Sequence, residues 1–286
     1  MVIPDFKIHK IPHVIKSLLG TLEFLFYTPK YNNNELVVVN YHGTPSKFLK
    51  NFKKQVNFLT KIYQPLNATD IDSYFNGKLS NQKPFILFTF DDGLKNNLNA
   101  AKYLAEKKIS AFFFLIPSFI ECEENLQANY YKTNIRPIIN PYIESEKEDT
   151  TSLSWDETRE LINLGHVVGC HTHTHTLISD KSTAENSVFE IIASKKVLEN
   201  KLNSEIISFC SINNTLLSVG KKEKTIISEN YTCHFTTIPG LNEHPNPLFI
   251  KRRNIESFWL LGAVKFSIGK FDLKRWKKYI QEYNSL

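Results

Sequence analysis

Short apolar runs alternate with stretches of helical period along most of this chain, the pattern of βα units and a mainly parallel sheet. Leu36 to Tyr41 reads as a strand, and Phe48 to Tyr63 follows with apolar residues at Phe48, Phe52, Val56, Phe58 and Leu59, close to helical spacing. Phe85 to Phe90 predicts a second strand, Asn96 to Lys107 a helix, and Ser110 to Ile116 a third strand. Ser154 with Glu157 three residues later forms a capping box, so a helix is expected from Ser154 to Leu164, with Gly165 ending it. Further helices are expected over 184–202 and 222–229, strands over 206–210, 231–237 and 248–255, and a basic amphipathic helix over 273–283. Between Glu121 and Ser152 the sequence turns polar, carries Pro137 and Pro141 and keeps no period. That is long for a loop in a compact domain, so it is either a cover over a site or a mobile insertion.

At 286 residues, 42% of them hydrophobic, the chain can bury a large core, and one main catalytic domain is the simplest reading. Cys122, Cys170, Cys210 and Cys233 show no Cys-x-x-Cys spacing and read as reduced thiols, which suits the cytoplasm. Met1 to Lys10 has no signal-peptide arrangement. Ile11 to Tyr27 is apolar in places, but Pro12, His13, Lys16 and Glu23 interrupt it, so it falls short of the ~20 apolar residues of a membrane span. It reads either as an interfacial helix or as a peripheral helix packed on the body. The net charge of +6 is concentrated partly in 47–54, 221–224, 251–253 and 274–278. Such clusters either attract anionic lipids or a phosphorylated sugar carrier, or are a solvated face; no nucleic-acid motif accompanies them.

Two segments carry chemistry. Phe85-Ile-Leu-Phe-Thr-Phe-Asp-Asp-Gly93 is an apolar run that ends in two carboxylates and a glycine, as expected of a buried strand delivering acids to its exposed end. Adjacent side chains leave an extended backbone in opposite directions, so Asp91 and Asp92 are expected to differ in purpose, one binding a cation and the other handling a proton. Gly169-Cys-His-Thr-His-Thr-His175 supplies imidazoles. As a strand it would place three histidines on one face; bent into a loop, it drops His173 and lets only His171 and His175 converge.

Thr89-Phe-Asp-Asp-Gly93, Ser110-Ala-Phe-Phe-Phe-Leu115 and Gly165-His-Val-Val-Gly-Cys-His-Thr-His-Thr-His175, in that order, resemble the polysaccharide deacetylase family of metal-dependent carbohydrate esterases. Val38 to Gly43, Asn67 to Asp72, Leu153-Ser-Trp155 and Phe235-Thr-Thr237 extend the likeness over roughly Leu36 to Ile255. The resemblance implies an α/β fold, a distorted or incomplete (β/α) barrel. It suggests an N-terminal helical extension over 1–35, a catalytic domain over 36–260 with an inserted loop at 121–152, and a C-terminal amphipathic helical tail over 261–286. It implies that Asp92, His171 and His175 hold a divalent metal, usually Zn2+, and that Asp91 is the general base for a water attacking an acetyl carbonyl. Two imidazoles and one carboxylate independently suit a hydrolytic site, because they leave coordination positions open.

The chain departs from that family in three places. The third motif, Ser208-Phe-Cys-Ser-Ile-Asn-Asn-Thr215, lacks its proline and puts Asn213 about where a backbone N–H would face the oxyanion. A Leu-x-His motif that provides the general acid in many relatives is absent; His42 stands in as acid, as a substrate contact or as a structural hydrogen-bonding residue, and His244 reads as a surface residue. The arginine that steadies the base is missing from its usual place, and Arg252 or Arg253 would replace it, Arg253 being the one that resembles an arginine of some relatives. The expected function is deacetylation of an N-acetylated amino sugar, lipid- or nucleotide-linked, in polysaccharide or glycolipid assembly, in the cytoplasm or at the inner face of the membrane. The competing reading is a degenerate relative that binds glycans without cleaving them; a third is deacetylation of a non-sugar amide.

Overall fold

The apolar runs pair side by side and all in parallel. The computed structural model describes residues 13–26, 35–179, 182–212, 220–242 and 246–269. Its strands are β1 (Leu36–Tyr41), β2 (Gln64–Pro65), β3 (Phe85–Phe90), β4 (Phe112–Leu115), β5 (Val167–Cys170), β6 (Ser208–Cys210), β7 (Cys233–Phe235) and β8 (Arg253–Asn254), in the order β7-β6-β5-β4-β3-β1-β8 with β2 beside β3. A later segment runs parallel beside β7: His234 N–H donates to Pro247 O at 2.7 Å and Thr236 N–H to Ile250 O at 2.8 Å, before β8 pairs with β1. That segment bridges the two edges and curls the sheet into an incomplete (β/α) barrel, as expected. The strand expected over 248–255 is reduced to two residues because it divides its hydrogen bonds between two neighbours.

Side-chain alternation along the strands splits the core in two. Val38, Leu87, Phe112, Phe114 and Phe235 fill the interior, with the Phe235 ring 4.9 Å from Phe112 and 5.0 Å from Phe114. Val37, Val39, Ile86, Phe88, Phe90 and Phe113 face outward and are covered by the helices Leu49–Ile62, Asn97–Glu106, Trp155–Asn163 and Ser194–Leu202. Both faces being buried, the strands read as continuous apolar runs. The interior parity continues upward: the next inward positions after Val38, Leu87 and Gly169 are Asn40, Thr89 with Asp91, and His171. Polar residues therefore crown an apolar stack at the C-terminal end of the barrel.

The helix expected from Ser154 is Trp155–Asn163, with both capping-box hydrogen bonds formed and Gly165 at φ 85° behind it. The 121–152 segment is not a plain loop: it holds a helical turn at Gln127–Tyr130 running into a π-helical turn at Tyr131–Ile135, which packs Tyr131 on Leu94, Ile116 and Phe119. The first part of the tail expected over 261–286 is a helix, Leu261–Ile268, which packs against His13–Phe26, and the two approach so closely that a side chain on Gly20 or Gly262 would strike the other's backbone. The N-terminal helix is thus seated on the body, yet Val14, Leu18 and Leu25 stay more than three-fifths exposed. Among the described residues no helix is long and apolar enough to cross a membrane. All four cysteines are free. The helix expected over 273–283 lies outside the described residues.

Gly169 is where β5 passes the Phe114 ring: a Cβ there would sit 2.5 Å from the ring and from Ser208 Oγ. Gly169→Val is expected to cost about 1–3 kcal/mol through overpacking and to lower Tm by roughly 3–10 °C in a thermal melt. An unchanged Tm would contradict this packing.

Candidate metal centre at the barrel mouth

Asp91 keeps the inward parity of Leu87 and Thr89, and its N–H donates to Tyr41 O at 2.9 Å, so the strand geometry carries it into the cavity. Asp92 would then face outward. Instead it takes φ 72°, followed by Gly93 at φ 66°, and this left-handed turn swings the second carboxylate back to the same side. Asp is one of the few non-glycine residues to visit that region readily. The turn is tied down where Leu153 N–H donates to Gly93 O at 2.9 Å.

His171 extends β5, its N–H donating to Leu115 O at 2.9 Å. The chain then leaves the sheet: Thr172 at φ 63° and His175 at φ 64° bend the segment into a loop. His173 drops out, its ring 4.4 Å from Phe189, while His171 and His175 converge with ring centroids 5.2 Å apart. Their Nε2 atoms stand 3.6 and 3.5 Å from Asp92 Oδ1. Each Nδ1 lies against a backbone carbonyl, His171 on Cys210 O at 3.0 Å and His175 on Asn134 O at 2.9 Å. A carbonyl only accepts, so Nδ1 carries the proton and Nε2 presents a lone pair. Burial pushes the His171 pKa down to about 4, against the opposing pull of Asp91, which keeps that ring neutral at pH 7. Two imidazole nitrogens and a carboxylate oxygen, all within 4.8 Å of one another, are the donor set of a divalent-cation site, and these residues fit one.

Cys210 Sγ also approaches Asp91 and His171. Burial holds its thiol well above the usual range, so it stays protonated, and it is a poor ligand beside the first set.

Asp91, whose Oδ2 lies 3.9 Å from His171 Nε2, is held by a different partner. Arg252 grips it in a two-pronged ion pair, Nη1 to Oδ1 at 2.7 Å and Nη2 to Oδ2 at 3.0 Å, and Asn40 Nδ2 donates to Oδ2 at 2.9 Å. Burial alone would raise the Asp91 pKa, but the charge and hydrogen bonds of Arg252 hold it well below the ordinary carboxylate range. Of the two arginines expected here, it is Arg252 that takes this place, and Arg253, the one that resembles an arginine of some relatives, does not. Parity along β8 turns it out of the cleft, where Nε donates to Gly240 O at 3.3 Å and Nη1 to Ser267 O. Asn213 and His244 lie outside the described residues.

The cavity above these groups measures about 510 Å³. His42 lines it, with Nδ1 2.9 Å from Glu256 Oε1. Burial would lower the His42 pKa, but Glu256, Asp92 and Asp91 outweigh it and raise it to about 9. Asn134, Arg136 and Pro137 of the 121–152 segment form one wall, so that segment does border the site. Glu256, Asn254 and Ser211 also line the cavity and were missed from the sequence. Asn254 and Glu256 share the parity of Arg252, which is the signal that could have found them.

Residues 78–215 match the family model described as polysaccharide deacetylase. No curated protein sequence matches the chain. Among solved structures it is similar to the putative polysaccharide deacetylase BA0330 from Bacillus anthracis, with TM-score 0.58 and 21% identity over 82% of this chain and 69% of that one. It is similar to IcaB from Ammonifex degensii, with TM-score 0.59 and 19% identity over 82% and 97%. The Streptococcus pyogenes deacetylase PplD in complex with acetate gives TM-score 0.59 and 17% identity over 85% and 100%. These likenesses establish a shared fold.

Replacing Arg252 with Met leaves the Asp91 charge buried and unpaired, at an expected cost of about 3–5 kcal/mol at pH 7. In the unchanged protein the depressed Asp91 pKa contributes stability that is present above the unfolded value of about 3.9 and lost as pH falls through the folded one. In Arg252→Met burial raises that pKa, and the native state is penalised as pH rises. Urea unfolding should therefore show a stability gap that is full at pH 7 and narrows toward pH 3; a gap independent of pH would contradict the pairing.

Proposed function

We propose that this chain, which carries the polysaccharide deacetylase motifs over residues 78–215, is a divalent-metal-dependent hydrolase removing the acetyl group from an N-acetylated amino sugar. The convergence of Asp92, His171 and His175 beside a separately held Asp91 carries this reading. When bound, a divalent cation, zinc being well suited to two imidazoles and a carboxylate, supplies Lewis acidity to a water and to an acyl carbonyl.

The remaining steps fall to the chain's own side chains. Asp91, kept ionised by Arg252, takes a proton from the water as its oxygen adds to the acetyl carbon. Asn40 and Arg252 hold the carboxylate in one orientation while it does so. The C–N bond then breaks, and the departing amine takes a proton from His42, which Glu256 keeps cationic and orients through Nδ1. Acetate and a free amine result. A glycan-binding relic would have no use for an ionised acid fixed beside the ligand cluster by a buried arginine.

The carrier we favour is lipid-linked. The apolar outer stripe of His13–Phe26 begins beside the cleft rim, where the His13 ring lies 5.2 Å from Trp259, three residues beyond the cleft-lining Glu256. With the net charge of +6, this supports a peripheral contact with an anionic membrane surface. The four free thiols suit a reducing compartment, so the inner membrane face is the proposed location.

Zinc-loaded protein should release acetate from N-acetylglucosamine oligomers. Asp91→Asn should reduce turnover by about 10²–10⁴-fold with zinc still bound. His42→Gln should lower turnover, keep the metal and abolish the alkaline limb of the pH–rate profile. No acetate from the loaded protein would refute the function, and unchanged turnover in either variant would refute that residue's role. Leu18→Glu should reduce co-sedimentation with vesicles rich in anionic lipid; equal binding would remove the membrane contact.

A further inference from the structure

The helix Ala184–Val188 does not run straight into Ser194–Leu202; a π-helical turn at Phe189–Ala193 intervenes. Such turns recur at functional sites because they place a side chain that a regular helix would aim elsewhere. Here the residue placed is Glu190, 1% exposed. Its Oε2 accepts the backbone N–H of His173 at 2.8 Å and of Thr174 at 2.9 Å, and its Oε1 accepts the Thr174 hydroxyl at 2.6 Å. Those residues lie between His171 and His175.

The loop they belong to is one that the chain would not adopt unaided. Thr172 and His175 both occupy left-handed backbone, a conformation that costs on the order of 1–3 kcal/mol per non-glycine residue and persists only where surrounding contacts over-determine it. From the opposite side the Tyr130 hydroxyl donates to Thr174 O at 3.0 Å, and Ser118 N–H donates to His173 O at 3.1 Å. Of these contacts, Glu190 alone binds two successive backbone amides at once.

We infer that Glu190 is a positioning residue for the candidate metal centre, its carboxylate clamping the 173–174 backbone so that the Nε2 atoms of His171 and His175 meet on Asp92. This rests on the metal-dependent reading proposed above. The chemistry of the clamp sets its tolerance. A glutamine can accept both backbone N–H groups with its carbonyl oxygen and turn its NH2 to Thr174 Oγ1, so Glu190→Gln should preserve the loop, whereas Glu190→Ala removes every bond. Thr174→Val removes only the hydroxyl bond.

The test is the zinc Kd of the folded protein, measured by competition with a chromophoric chelator well below the melting temperature, alongside hydrogen exchange of the metal-free protein. Glu190→Ala should weaken zinc binding by about 10–100-fold, the range for groups that orient metal ligands. Glu190→Gln should restore affinity to within a few-fold, and the amides of His173 and Thr174 should be protected in the unchanged protein and in Glu190→Gln but exchange fast in Glu190→Ala. Should Glu190→Ala not fold, Thr174→Val decides: a few-fold weaker binding supports the clamp, and unchanged binding overturns it. Wild-type zinc affinity in Glu190→Ala, or failure of Glu190→Gln to rescue, overturns the clamp and leaves the metal site standing. An unchanged protein that binds no zinc overturns both.

Discussion

Two neighbouring carboxylates can face one cavity only where the backbone between them stops being a strand. That reversal, at Asp92 and Gly93, is the constraint on which the rest of the site depends. Up to Asp91 the sheet's alternation determines what points inward, and it delivers Asn40, Asp91, His171 and Arg252 to one end of the barrel without special geometry. Asp92 and His175 come from outside that scheme, each through a residue at positive φ. The candidate site is therefore half sheet and half loop. The sheet half is rigid because apolar layers lie beneath and around it, and the loop half needs contacts of its own.

The electrostatics follow the same division. Asp91 is buried, and its charge is met in full by a two-pronged arginine and an amide. Asp92 is equally buried, but its nearest partners are imidazoles whose protons are committed to carbonyls on the far side of each ring. One acid is thus paired with a buried arginine, and the other faces two imidazoles. The carboxylates are chemically identical; their neighbours separate their roles.

Much of this was legible in the sequence. The strands ending at Phe90 and Cys170 are buried on both faces and so appear as unbroken apolar runs, and the residues that follow them carried the metal-ligand reading. Arg252 was not separated from Arg253, because two adjacent arginines beside a two-residue strand do not say which parity faces inward. The tail expected to be amphipathic over 261–286 begins with Leu261–Ile268, which is almost entirely apolar because it packs on the N-terminal helix, with Gly262 permitting close approach to Gly20. The short turns within 127–135 have no period to detect. Glu190 resembled any acid on a helix, since the π-helical turn that buries it leaves no mark in the composition.

The decisive measurement is diffraction at the zinc absorption edge from crystals grown with zinc. A single strong anomalous peak is expected at about 2.0–2.2 Å from Asp92 Oδ, His171 Nε2 and His175 Nε2, with Asp91 still paired to Arg252 and not bonded to the ion. A peak on Asp91, His171 and Cys210, or no peak in this cavity, would contradict this ligand set.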